Sequence, residues 1–156
     1  MASTSVRPVP PGYHTVTPYL IVHGAEKAID FYKKAFNAKE LLRLPMPDGK
    51  GLAHAEIQIG DSHVMLSDES PEMKTHAPKG DDSSLGIALY VEDSDATFKQ
   101  AVAAGAKVTS ELKDQFYGDR SGTVLDPFGY KWTVASHKED VSPEEMKKRM
   151  AQMARA

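Results

Sequence analysis

Apolar positions along the chain fall into two alternating periods, one belonging to strands and one to helices. Tyr19–Val22 is a short apolar run that leads directly into AEKAIDFYKKAF, where Ala25, Ala28, Ile29, Tyr32 and Phe36 recur at helical spacing. Glu26, Lys27, Asp30, Lys33 and Lys34 fill the other side, so the reading is a strand entering an amphipathic helix. Asn37 stands where a left-handed residue ends a helix. Glu40–Leu44 reads as a strand and PMPDGK as a turn. Leu52–Ile59 and His63–Ser67 flank Gly60-Asp61 and predict a hairpin. Residues 69–83 are polar, with two prolines and a glycine, and form the longest loop, of the kind that serves as a lid or a crossover.

After that loop the pattern restarts. LGIALYV predicts a strand, DSDATFKQAVAAG a helix ended by Gly105, and AKVTSEL a strand. Asp119–Leu125 and Tyr130–Ala135 follow as strands around the turn Asp126-Pro127-Phe128-Gly129, which is assigned to structure. SPEEMKKRMAQMARA carries a helix start, with Ser142 at the N-cap, Pro143 at N1 and Glu145 at N3. Its Met146, Met150 and Met153 share one face, expected to pack on the body or on a partner subunit.

The two halves can be laid over one another. Val22 aligns with Val91 and Ile29 with Phe98 at an offset of 69, and residues 35–39 align with 103–107 at 68. The expected order is βαβββ, loop, βαβββ and a terminal helix. The fold class is therefore α+β, with two βαβββ repeats forming a curved mixed sheet. The expected organisation is an extended lead-in over residues 1–12 and one domain over 13–140. Within it, repeat one spans about 13–68, the loop 69–83 and repeat two about 84–137, with a C-terminal helix over 141–156.

Composition narrows the function classes. At 156 residues, 40% hydrophobic and 26% charged, the chain is globular and long enough for a core. A net charge of -3 without a basic block argues against nucleic acid as a partner. The absence of cysteine excludes disulfides, thiolate metal sites and thiol nucleophiles. The N-terminus lacks the apolar run of a signal peptide, and no stretch approaches a membrane span. The expectation is a soluble, cytoplasmic protein.

AIDFYKKAFNAKE, GIALYVEDSDATFKQAVAAGAKV and above all YGDRSGTVLDPFGYKW resemble the glyoxalase/bleomycin-resistance/extradiol-dioxygenase superfamily, also called vicinal-oxygen-chelate. The segment continuing to SHKED resembles its PhnB-like branch most. The resemblance covers about Tyr13 to Asp140 and implies paired βαβββ units around a cup-shaped small-molecule pocket, and commonly a homodimer. It does not choose a function, because members include metal-dependent isomerases, epimerases and dioxygenases, thiol transferases and metal-free drug-sequestering proteins. Metal-using members take His, Glu or Gln ligands from the first and last strands of each unit. Carried over, those positions fall on Thr17, Gly86 and Thr133, with the fourth near Leu66. Glycine and leucine offer no donor, and threonine is a poor one. No metal and no cofactor is therefore expected.

Other residues are candidates for a pocket. His54 and Glu56 are two apart on a strand and share its polar face, while Ala53, Ala55, Ile57 and Ile59 suit the helix-covered side. The pair reads either as a metal or catalytic site or as polar residues on the less buried face. Arg120 corresponds to His54 at an offset of 66, so the two are expected in one cavity, with tentative catalytic roles. Arg120 either clamps a ligand oxyanion or forms a structural ion pair with Asp119. Tyr19 and Tyr90 share face parity with Thr17 and Gly86 and, with Tyr117, are expected as ligand-binding walls or as ordinary core aromatics. Trp132 is expected under a helix, and His63 and His76 at the surface. Three readings stay open: a metal-independent binder of an unknown small molecule; a glyoxalase- or dioxygenase-class enzyme (lyase, isomerase or dioxygenase) with a relocated metal or an acid-base site; and an interaction protein.

Overall fold

The structure, a computed structural model, describes residues 6–155. The first five residues of the expected lead-in, and Ala156 of the expected terminal helix, lie outside the described residues. The chain divides into two compact units, residues 1–78 and 79–156, with the boundary inside the long loop.

The first unit runs β1 (Tyr19–Val22), α1 (Ala25–Phe36), β2 (Lys39–Pro45), β3 (Leu52–Ile59) and β4 (Ser62–Asp68). The second runs β5 (Gly86–Tyr90), α2 (Ser94–Ala104), β6 (Lys107–Asp114), β7 (Asp119–Leu125) and β8 (Lys131–His137), followed by α3 (Pro143–Met153). The strands form two four-stranded mixed sheets, one in each unit, in the orders β1-β4-β3-β2 and β5-β8-β7-β6. In each, the first and last strands of the repeat run parallel and the other neighbours antiparallel. The fold is α+β and is the duplicated βαβββ architecture that the repeat predicts.

In the first unit, Leu20, Val22, Ile57 and Leu66 of the sheet and Ile29 and Tyr32 of α1 are all fully buried and form its core. Each such side chain contributes roughly 1.5–3 kcal/mol when removed from water. Gly24 at the helix start carries no capping side chain, and Asp68 of β4 supplies one from a distance. Its Oδ1 accepts from the Gly24 and Ala25 N–H groups at 2.7 and 3.0 Å, and its Oδ2 from Leu52 N–H at 2.8 Å. A carboxylate at a helix N-terminus also complements the helix dipole. Asn37 ends α1 in the left-handed conformation, φ 55°.

The second unit builds its core differently. Trp132, as expected, is buried, and its indole N–H donates to Asp126 Oδ2 at 2.9 Å. Asp126 Oδ1 accepts from the Phe128 and Tyr130 N–H groups, which makes the Asp-Pro-Phe-Gly segment an anchored turn. Gly122 on β7 faces α2, where an added Cβ would lie 2.7 Å from the Phe98 ring and 2.8 Å from the Leu112 backbone. Asp93 caps α2 by accepting from Ala96 N–H at 2.9 Å, and Gly105 ends it at φ 118°.

Several expectations change. The lead-in is not wholly extended: Tyr13 N–H closes a turn onto Pro10 O at 3.1 Å. Among the described residues the α3 methionine face is not buried: Met146 is half-buried, and Met150 and Met153 are exposed. The helix is held instead by Arg149, which donates to Glu139 and to Phe116 O. Its N-cap is the predicted Ser142, accepting from Glu145 N–H at 3.2 Å. No described helix is long and apolar enough to cross a membrane.

Candidate functional site

Strand registers decide which side chains meet. Tyr19 lies opposite Met65, and Ala88 opposite Thr133, so with β1 and β5 aligned at 69 the mate of Thr133 is Met65. Leu66, the expected mate, faces α1 and is fully buried. Glu56 lies opposite Met65 and Thr123 opposite Thr133, which makes Ser121 the mate of His54 in place of Arg120. Both expectations were displaced by one residue, and in a strand that reverses the face. Arg120 accordingly turns to the helix side. Its guanidinium binds Asp95 of α2 at 2.6 and 2.8 Å and Asp114 at 3.2 Å, and the two carboxylates hold its pKa well above the usual range. It makes no ion pair with Asp119.

On the open face of the first unit, β1 and β3 bring three of the expected residues into a hydrogen-bonded chain. Tyr19 Oη lies 2.8 Å from His54 Nδ1, and His54 Nε2 lies 3.0 Å from Glu56 Oε1. The other Glu56 oxygen accepts from the Tyr13 hydroxyl. Those bonds from Tyr13 and His54 hold the Glu56 carboxyl below its usual pKa. Burial and the neighbouring carboxylate push the Tyr13 phenol up to about 12. The Tyr13 ring also packs edge-on over His63, centroids 4.1 Å apart, so His63 is part-buried where a surface position was expected. Nothing local in the sequence announces Tyr13, because its partner is 43 residues away.

Two clefts open beside this chain. The larger, about 880 Å³, is walled by Tyr19, Ile21, Met46, Ala53 and the loop residues Glu69–Met73 and Thr75. The loop is folded back on itself, with Thr75 N–H donating to Ser70 O at 3.1 Å and Ser70 N–H to Thr75 O at 3.2 Å. Ala53, expected under the helix, lines this cleft, and Leu52 takes the buried place. The smaller cleft, about 550 Å³, lies between the lead-in and β3–β4, with Tyr13, Thr17, Glu56 and Met65 in its walls.

The open face of the second unit carries a different cluster. Tyr90 donates to Asp119 Oδ2 at 2.6 Å, and His137 Nδ1 lies 2.7 Å from Asp119 Oδ1. His137 Nε2 is 2.8 Å from Asp140, and the two carboxylates raise the imidazole pKa. Burial works to raise the Asp119 pKa, yet the Tyr90 and His137 hydrogen bonds overcome it and the net shift is downward. His137 was not among the expected residues, although its even spacing from Thr133 along β8 marks it for this face. Tyr117 reaches Ser121 at 3.2 Å, and the Thr133 and Thr123 hydroxyls pair at 3.0 Å. Gly86 is exposed, with nothing within 4 Å of an added Cβ.

The superfamily's divalent ion has a poor donor set here. Thr17, Met65, Gly86 and Thr133 offer two hydroxyls and a thioether, with no carboxylate and no imidazole. Among the described residues no three His, Asp or Glu side chains are grouped as a metal site.

Comparison with known proteins agrees with the fold. The model of the glyoxalase/bleomycin resistance protein/dioxygenase superfamily matches residues 13–134, and the chain belongs to that superfamily. An uncharacterised protein of Mycobacterium bovis is 44% identical over 144 residues, covering 87% of this chain and 91% of that one. Among solved structures, TioX from Micromonospora sp. ML1 is 26% identical with a TM-score of 0.64, covering 80% of this chain and 98% of its own. The PhnB protein from Bacillus cereus shares the fold at 16% identity and a TM-score of 0.61, covering 79% and 99%.

Proposed function

We propose that this chain is a PhnB-like member of the superfamily that binds a small molecule in the larger cleft of its first repeat, without the superfamily's metal. The carrying observation is that cleft: about 880 Å³, largely apolar in its walls, with Tyr19 among its lining residues. The donor-poor metal positions support the same reading. A homodimer in the cytoplasm belongs to the proposal as well. Light scattering tests the dimer and fractionation the location.

The test of the metal-free reading is metal content after purification without chelators, together with thermal shifts under added divalent ions. We expect sub-stoichiometric metal and no stabilisation. One tightly held ion per chain sinks the reading. A second reading, an acid-base enzyme, is favoured by the Tyr19–His54–Glu56 chain, since an imidazole oriented by a carboxylate can exchange a proton with a hydroxyl. Arg120 has no part in it, being committed to Asp95 and Asp114.

A further inference from the structure

In the first-unit chain, Glu56 orients the hydrogen bonds from Tyr13 and His54. Glu56 is ionised at neutral pH, its pKa lowered by its partners, and a carboxylate only accepts. The proton between Glu56 and His54 therefore sits on His54 Nε2. When the imidazole is neutral, its other nitrogen is an acceptor, and Tyr19 then donates its proton to His54 Nδ1. With that proton committed to His54, the Tyr19 oxygen has only lone pairs left for a ligand. Independently, the described residues lining the cleft include Asp48, Asp68, Glu69 and Glu72, and no Lys, Arg or His. Asp68 is spent on the α1 N-terminus and Glu69 on His23 and Ala77 N–H; Asp48 accepts only from the Lys50 backbone N–H, and it and Glu72 are exposed, so these two carry the outward negative charge.

Resting on the cleft reading above, we propose that this site selects aromatic ligands that donate hydrogen bonds, neutral phenols and aromatic amines, and rejects carboxylates and phosphates. The ligand's O–H or N–H donates to Tyr19 Oη, its ring lies against Ile21, Met46 and Ala53, and a cationic tail meets Asp48 or Glu72. An anion would meet carboxylates at the wall and no donor at Tyr19.

Four small probes test this by calorimetry on the full chain at neutral pH. Replacing p-cresol by 4-methylanisole removes only the donated proton, and should weaken binding about tenfold. Tyramine should bind more tightly than 3-(4-hydroxyphenyl)propionate, which has the same ring and the opposite charge. Tyr19→Phe keeps the half-exposed ring and should erase the cresol-over-anisole preference. His54→Gln, whose amide can donate to the Tyr19 oxygen and turn the phenolic proton outward, should lower that preference while improving anisole binding; a purely structural loss would weaken both equally. Ala53→Trp fills the cleft and should abolish binding of all four. If Ala53→Trp blocks the probes but anisole matches cresol, or the propionate exceeds tyramine, this inference falls and the cleft reading stands. If no probe binds, or Ala53→Trp changes nothing, both fall.

Discussion

The two repeats share one strand order and spend their side chains differently. In the first, α1 buries seven residues, among them Phe31, Tyr32 and Phe36, so the helix supplies the bulk of the core. In the second, α2 buries only Ser94, Phe98 and Ala101, and the volume comes from the sheet through Trp132. The open faces diverge as well. Tyr19, His54 and Glu56 form a directional chain at the edge of a cleft, whereas Tyr90, Asp119, His137 and Asp140 satisfy one another. A duplicated topology thus fixes where side chains can project without fixing what they do there.

The sharpest way to break this contrast is in the cores. Trp132→Ala should cost about 3–5 kcal/mol in denaturant unfolding. At the equivalent position of the first repeat, Val64→Ala should cost roughly 1–3 kcal/mol. Equal losses would mean that the second core does not depend on its strand. Next in size, Gly122→Ala should cost about 1–3 kcal/mol, because the added methyl meets Phe98 and the Leu112 backbone. Gly86→Ala, with open space around it, should fall within about 0.5 kcal/mol of wild type.

Smaller effects probe the open faces. The Tyr13 phenol, raised to about 12 by burial and then by Glu56, should drop part of the way toward about 10 in Glu56→Gln. Ultraviolet titration reads this directly. With a raised folded pKa, the stability tied to this phenol is whole below about pH 10 and is lost as pH rises through 12. In the second unit, His137 is raised, so its contribution is whole below about pH 6.5 and fades as pH climbs through the folded pKa. Asp119 is lowered, so its share is present above about pH 4 and is lost on acidification. Melting temperatures of wild type and His137→Asn should therefore differ most between about pH 4 and 6.5 and converge at higher pH. A constant gap across pH would assign His137 to packing alone.

Element identity was legible in the sequence. Helical spacing from Ala25 to Phe36, alternation from Leu52 to Ile59 and the Ser142 cap are local patterns, and each became the element it announced. Pairing His54 with Glu56 was legible too, since residues two apart on a strand share a face. Matching His54 to Arg120 and Thr133 to Leu66 failed, because those matches depend on register between strands that lie far apart in the chain. A single residue of slippage there carries a side chain through the sheet.

What the sequence determined by itself, then, is the duplicated α+β order and the family, because short-range periodicity and residue pattern suffice for these. What only the tertiary structure decided is that Arg120 belongs to a helix-side ion pair, that Tyr13 closes on Glu56, and that Tyr19 meets His54 at the edge of a cleft. Those are contacts across 25, 43 and 35 residues, set by ladder register and by the path of a lead-in that carries no periodic signal.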